Sequence, residues 1–411
     1  MLYQLHEIQR SMMSPLLKWA EASASMLTNP ISPFAHTPFA QRIAAGYELM
    51  YRLGKQYDKP EFGIESTEIA GKSVAICEEI AIEKSFCQLL HFRKDLPQKT
   101  LDSLHQPTVL IVAPLSGHHS TLLRDTVRAL LPEHNVFITD WIDARMVPLS
   151  EGPFHLHDYI YYVQEFIRAL GPDVHVISVC QPTVPVLAAV SLMASNKDPK
   201  LPKTMTMMGG PIDPRKSPTK VNDLAQEKPF SWFENTVIYG VPPSYPGFGR
   251  KVYPGFLQHA GFIAMNPSRH ADSHHDFYNH LVKGDGDSAE AHRQFYDEYN
   301  AVLDMSAEYY LDTIKTVFQE YALPKGTWNV GGQLVRPQDI TTVALLTVEG
   351  ELDDISGAGQ TQAAHDLCSG IPQDMKRDFV APGCGHYGIF SGRRWREIIC
   401  PVVGSFIKQH G

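Results

Sequence analysis

The stretch at residues 175–190, HVISVCQPTVPVLAAV, restricts the possible folds of this chain more than any other. Residues 174–179 form a short apolar run rich in β-branched side chains, the pattern of a parallel strand buried on both faces. Cys180, Gln181 and Pro182 follow, then an apolar stretch of helical character over 184–193. A strand, one reactive polar residue and a helix make the layout of a nucleophile elbow, where the side chain stands on a sharp turn above the sheet. A Cys there gains from the helix N-terminus, which favours its thiolate, and from the next backbone N–H, which can receive a developing oxyanion. The usual elbow pattern is small-x-nucleophile-x-small. Ser178 fits it; Pro182 stands where a small residue is usual, and suits a first helical turn because its missing N–H costs nothing there. By itself a Cys after a strand is more often a buried, inert thiol. The reading therefore turns on whether partners follow in the right order.

Strands and helices alternate around the elbow. Residues 109–113 (VLIVA), 136–139 (VFIT) and 203–208 (KTMTMM) read as further buried strands, with helices expected over 122–131 and 156–170. The second helix places Tyr159, Val163, Phe166, Ile167 and Leu170 on one face and stops at Gly171-Pro172. This alternation from about 108 to 210 specifies an α/β fold with a mostly parallel, doubly wound sheet. Residues 69–77, 80–82 and 90–92 read as earlier strands, paired as hairpins. From 213 to about 326 the apolar strand patterns vanish and the chain becomes aromatic-rich and helical. In an α/β-hydrolase fold, an insertion there caps the nucleophile. Its aromatic residues are expected to form the cap's own core, some lining a groove for an extended apolar substrate. His259, His270, His274, His275, His280 and His292 fall in it without the spacing of a metal site.

The sheet resumes at 342–348 and runs into Glu349-Gly350-Glu351-Leu352-Asp353-Asp354. A carboxylate just past a late strand is where the acid of a triad belongs, and the G-x-x-D spacing from Gly350 selects Asp353 over Asp354. The competing role for both acids is to cap a helix expected near 356–367. After a last strand at 376–380, the loop APGCGHYGIF carries His386, with Gly383, Gly385 and Gly388 to hold it in a tight turn. The order Cys180, Asp353, His386 is that of an α/β-hydrolase triad. His386 would take the thiol proton and Asp353 would orient the ring, with the thiolate attacking an ester carbonyl to give a thioester. Cys384 is a rival thiol, but it lies on a loop and not on an elbow. The Gly117-containing turn after 109–113 sits where such folds place the second oxyanion amide. Register points to the N–H of Leu115, with Ser116 as runner-up, acting with the N–H of Gln181. His118 and His119 are adjacent and point in different directions, which argues against a metal there. This chemistry needs no metal or organic cofactor.

At the N-terminus, Leu2, Leu5, Ile8, Met12, Leu16 and Trp19 recur at helical spacing, interrupted by Pro15. Such a stripe is usually a face packed on the domain or on a partner subunit; the sharper reading is contact with an apolar surface. A Pro-rich break over 29–38 precedes a second helical run at 39–55. The expected organisation is an N-terminal helical segment over 1–60, a first part of the core over 61–212, a cap over 213–330 and a second part of the core over 331–411. A net charge of −9 over 411 residues argues against a nucleic-acid binder, which needs a basic face. The six Cys are sparse, irregular and without zinc spacing, which points to a reducing, cytoplasmic compartment. MLYQLHEIQR has no secretory pattern, and no apolar run reaches the length of a membrane span.

The runs VISVCQPTVPVLAA, GGPIDPRKSPT (209–219), VEGELDDISGAGQT (348–361) and APGCGHYGIFSGRRWR (381–396) resemble the intracellular polyhydroxyalkanoate (polyhydroxybutyrate) depolymerases, and the likeness extends to the N-terminal MLYQLHEIQRSMMSPL. The resemblance implies an α/β-hydrolase with a cap, a Cys in place of Ser, and Cys180, Asp353 and His386 as the matching triad. It implies polyesters of (R)-3-hydroxybutyrate as substrate, attacked at the surface of storage granules, with the polymer and 3-hydroxybutyrate oligomers as partners and self-association left open. The alternatives are a polyhydroxyalkanoate synthase-like acyltransferase, which usually has Gly two residues after the Cys, and a small-ester hydrolase or dehalogenase, whose nucleophile would be Ser or Asp. A granule-binding structural protein is the non-enzymatic alternative, and it has no reason to keep the Cys–Asp–His order.

Overall fold

The computed structural model describes residues 2–29, 31, 35 and 37–411. Half of the Pro-rich break at 29–38 lies outside the described residues. Among them, a central sheet is built from β1 (Ser66–Ile69), β2 (Lys72–Glu83), β3 (Cys87–Lys94), β4 (Thr108–Val112), β5 (Asn135–Trp141), β6 (Val174–Val179), β7 (Thr204–Met208), β8 (Ala344–Gly350) and β9 (Lys376–Ala381). The strands lie in the order β1-β2-β3-β5-β4-β6-β7-β8-β9. The first three and their junction with β5 are antiparallel; every pairing from β5 to β9 is parallel. This is the α/β-hydrolase fold.

The topology fixes the place of the site. From β4 the chain goes to β5 on one side, then crosses back to β6 on the other. Ligands of open parallel sheets bind in the crevice beyond the strand ends where the order reverses. Cys180 directly follows β6 and Leu115 follows β4, so both sit at that crevice. All six residues of β6 are buried, as a central strand covered on both faces requires. The helix Thr183–Ser195 is buried along its whole length from Thr183 to Met193, which is why its sequence is apolar on every side.

Several local expectations are corrected. Residues 69–77 are not one strand: Ala70 and Gly71 adopt positive φ, turn the chain, and let β2 run unbroken from Lys72 to Glu83. Residues 356–367 are mostly turns, with only Ala364–Leu367 helical. There the Glu349 carboxylate accepts from the N–H groups of Gly359, Thr361 and Gln362, and Asp353 accepts from those of Ile355 and Ser356. Side-chain acceptors that collect backbone donors compete directly with a helical ladder. Between β7 and β8 lie the expected helices, Gly255–Met265, Pro267–Lys283 and Gly286–Tyr299 among them, together with a small sheet of two- and three-residue strands. Those strands are too short to leave a pattern in sequence.

The N-terminal segment forms two helices, Leu2–Thr28 and Pro38–Gly54, and Pro15 lies inside the first without ending it. The face that packs is not the stripe of large apolar residues. It carries Tyr3, Leu17, Ala20 and Ala24, whereas Leu2, Leu5, Ile8, Met12, Leu16 and Trp19 are exposed. Small residues win the contact because they admit close approach: a Cβ on Gly54 would stand 2.6 Å from Leu17 Cδ2. Tyr3 buries its ring and donates its hydroxyl to Asp304 Oδ2 at 2.7 Å.

Candidate active site

Cys180 sits at φ +66°, a left-handed conformation that a non-Gly residue occupies only at a cost of about 1–3 kcal/mol and that surrounding structure must hold in place. Two anchors hold it. The Cys180 N–H donates to Met208 O at 2.7 Å, and the N–H of Thr183 donates to Cys180 O at 3.1 Å. Pro182 takes helical φ and ψ of −53° and −21°, so it opens the helix without asking for a donor. Space for the turn comes from Gly209 and Gly210 at the end of β7. A Cβ on Gly210 would lie 1.8 Å from Thr183 Oγ1 and 2.4 Å from Cys180 O; one on Gly209 would lie 2.5 Å from Ile389 Cδ1.

The two distant partners arrive at this turn. His386 Nδ1 lies 2.7 Å from Asp353 Oδ2, with both side chains almost fully enclosed. Asp353 is held in turn, because its Oδ1 accepts from the N–H groups of Ile355 at 2.9 Å and Ser356 at 2.8 Å. Asp354 has no part in this contact. On its other side His386 shares the cavity with Cys180, whose sulfur acts electrostatically on the ring. Burial works against charge on the ring, but Cys180 and Asp353 outweigh it and raise the imidazolium pKa to about 10. Sulfur, imidazole and carboxylate thus form one chain in which a proton on His386 faces negative partners on both sides.

Leu115 and Gln181 line the same cavity as Cys180 and His386. Neither backbone N–H donates to an acceptor among the described residues, which leaves both free for a ligand oxygen. His118 and His119 face different surroundings: His118 stacks on Phe262 at 4.7 Å and hydrogen-bonds Tyr299 O, and desolvation lowers both rings, to about 4 and about 3. Cys384 is buried with its Sγ turned to Gly385 O, and burial raises its thiol pKa. Of the three loop glycines, only Gly383 has positive φ; Gly388 is needed for closeness, since its Cβ would lie 2.6 Å from Cys384 Sγ.

The cavity holds about 330 Å³, and its walls are mostly apolar. The inserted segment supplies Phe233, Tyr253, Phe262, Tyr309, Tyr310 and Phe318 to the lining. Two supports went unread in the sequence. Tyr309 donates to Gln181 Oε1 at 2.6 Å and so ties the insertion to the residue after Cys180. Thr361 Oγ1 accepts from the N–H of Gly210 and donates to its carbonyl, while Glu349 holds Thr361 by its N–H, so the loop beyond Asp353 braces the elbow. Nothing in the spacing of 210, 349 and 361 announces that network; it exists only once β7 and β8 are neighbours.

Residues 209–411, the C-terminal half of the chain, match the family described as PHB de-polymerase C-terminus, where PHB is polyhydroxybutyrate. The chain belongs to the PHB depolymerase family. The matched region contains Asp353 and His386 and begins at Gly209, against the elbow. Among solved structures, this family member is similar to a monoacylglycerol lipase from Paleococcus ferrophilus, at 13% identity over 74% of this chain and 96% of that one, with a TM-score of 0.44. It is similar at 12% identity to 2-hydroxy-6-oxo-6-phenylhexa-2,4-dienoate hydrolase from Rhodococcus sp. strain RHA1, over 82% and 99% of the two chains, with a TM-score of 0.45. A hydrolase from Pseudomonas aeruginosa PA01 shares 12% identity over 80% and 98%, with a TM-score of 0.44. No curated protein matches.

Proposed function

We propose that this PHB depolymerase family member hydrolyses the ester bonds of poly(3-hydroxybutyrate), with Cys180 as nucleophile, His386 as general base and acid, and Asp353 as the group that orients the imidazole. The observation that carries the reading is the strained turn at Cys180, φ +66°, in one cavity with His386, whose Nδ1 is held by Asp353 Oδ2 at 2.7 Å. A strained residue held by a braced elbow is a functional signal when a base is in reach.

The Cys180 proton already rests on His386, and the sulfur attacks the ester carbonyl carbon, whose oxygen takes up the negative charge beside the N–H groups of Leu115 and Gln181. Collapse breaks the C–O bond; the imidazolium gives its proton to the departing alkoxide, which leaves as the hydroxyl end of a shorter chain. His386 then takes a proton from water, the hydroxide attacks the Cys180 thioester, and the acid is released with the thiol restored. The mostly apolar cavity suits an uncharged, methyl-bearing polyester. Such a substrate is stored in granules within the cell, and that is the proposed place of action.

Iodoacetamide should label Cys180 and abolish turnover of soluble 3-hydroxybutyrate trimer, and Cys180→Ala should lose at least about 10³-fold in kcat. Full turnover by Cys180→Ala would overturn the assignment.

A further inference from the structure

The exposed stripe on the N-terminal helix has no role in the triad and is not part of the buried core, with Trp19 at its end meeting Tyr47 of the second helix edge-on at 5.1 Å. Leu5, Ile8, Met12, Leu16 and Trp19 are between 44% and 77% exposed. At 100° per residue they fall within about 80° of one another and extend for about 21 Å along the helix. The face that packs, with Tyr3, Leu17, Ala20 and Ala24, lies roughly 130° away. The helix is therefore apolar twice, once towards the protein and once towards solvent. Its inner face is firmly held: Tyr3 bonds Asp304, His6 stacks on Phe256 at 4.0 Å, and Leu17 fills the space beside Gly54. Phe256 belongs to the helix Gly255–Met265, whose other face carries Gln258 and Phe262 into the wall of the Cys180 cavity. The stripe is thus mounted one helix away from the site.

We propose that this stripe docks the enzyme on the surface of its own insoluble substrate, an amorphous, uncharged polyester. The inference rests on the function proposed above. Three considerations select this occupant. The five side chains expose on the order of 500 Å² of apolar surface, a patch of the size that marks an interaction site. That area falls short of the ~800 Å² per partner that a stable dimer buries, so a second copy is the poorer match. An anionic membrane is also a poor match. Helices that bind one carry an excess of Lys and Arg beside the apolar face. Here Arg10 and Lys18 are balanced by Glu7 and Glu21, Arg10 is already bonded to Glu7, and the chain as a whole carries −9. A neutral polymer neither needs cations nor repels a negative protein.

The test uses Cys180→Ala protein, so that binding is read without degradation. Co-sedimentation with amorphous poly(3-hydroxybutyrate) particles should fall at least about tenfold when Leu5, Ile8, Met12, Leu16 and Trp19 are all changed to Gln. The same five changes in the active protein should leave turnover of soluble trimer unaltered. Independently of those variants, Trp19 emission should shift to the blue when the unsubstituted stripe meets the particles. Unchanged sedimentation of the five-fold variant, or no Trp19 shift, would overturn the proposal. So would stripe-dependent binding to phosphatidylglycerol vesicles in place of polymer, or a stripe-dependent dimer in sedimentation velocity. Loss of trimer turnover in the active, unsubstituted protein would strike at the proposed reaction and not at the docking surface.

Discussion

His386 must keep a proton in a site whose burial resists charge. Cys180 and Asp353 supply the compensation, and the balance leaves the ring charged up to about pH 10. Replacing Asp353 by Asn removes one negative partner and the acceptor that fixes Nδ1. The ring's pKa then falls, so the alkaline limb of the kcat/KM profile, expected near pH 10, should move to lower pH. The rate at neutral pH should fall by roughly 10²–10⁴. An alkaline limb that stays put in Asp353→Asn would mean that the carboxylate does not tune the imidazole. At this scale the site was readable for a definite reason. Cys180, Asp353 and His386 sit on short polar or Gly-rich turns directly after apolar strands, where a Cys, Asp or His stands out. The turn spacing selects Asp353 over Asp354, and it is Asp353 Oδ2 that lies 2.7 Å from His386 Nδ1. The supports were not readable in the same way, because Tyr309, Glu349 and Thr361 act through contacts across the sheet that no local spacing encodes.

At the scale of elements, the elbow depends on a void as much as on a side chain. Gly209 and Gly210 leave the room into which β6 turns. Gly210→Ala would drive a methyl into Thr183 Oγ1 and the Cys180 carbonyl, which is backbone and cannot swing aside. Overpacking of this kind costs about 1–3 kcal/mol, and the shift would fall on the residue that has to face His386. Lower thermal stability and a large loss of trimer turnover are expected together. A Gly210→Ala protein that melts and turns over like the parent would show that the elbow tolerates a Cβ there. Strands β4 to β8 were legible because strands buried on both faces are written as continuous apolar runs. The segment at 356–367 was misread as helix because its backbone donors go to Glu349 and Asp353, and side-chain capture does not alter hydrophobic periodicity. The N-terminal stripe was legible as a stripe, but not in its direction. Periodicity says that an apolar face exists, and here the smaller residues Ala20 and Ala24 took the packed side.

The molecule as a whole buries several His in the neutral form, and this sets its response to acid. His118, His119 and His175 are all nearly inaccessible, and desolvation brings them to about 4, about 3 and about 4. Unfolded, each would take a proton near pH 6.5. Above about 6.5 both states are neutral and nothing is lost, and below it the unfolded chain binds protons that the native state refuses. Each such His then removes ~1.4 kcal/mol per pH unit, until its own folded pKa is reached. Asp143 and Asp304 oppose this. They lie close together in a buried site, and burial followed by their mutual repulsion raises Asp143 to about 7, so the native pair takes up a proton before the unfolded chain does. One shared proton offsets about one His, so the buried His still outweigh the acid pair on the acid side. His386 acts only at the other end: its raised pKa contributes stability in full below 6.5 and loses it as pH rises through about 10. Thermal stability should therefore be greatest near neutrality and fall steeply on the acid side. His175 tests the cause away from the active site, since its ring contacts Thr204 Oγ1 at the start of β7. Thermal unfolding followed from pH 7 to 4.5 should show a shallower acid decline in His175→Gln than in the parent. A decline of equal slope in both would remove buried His175 from the explanation, and a flat parent profile over that range would remove all three.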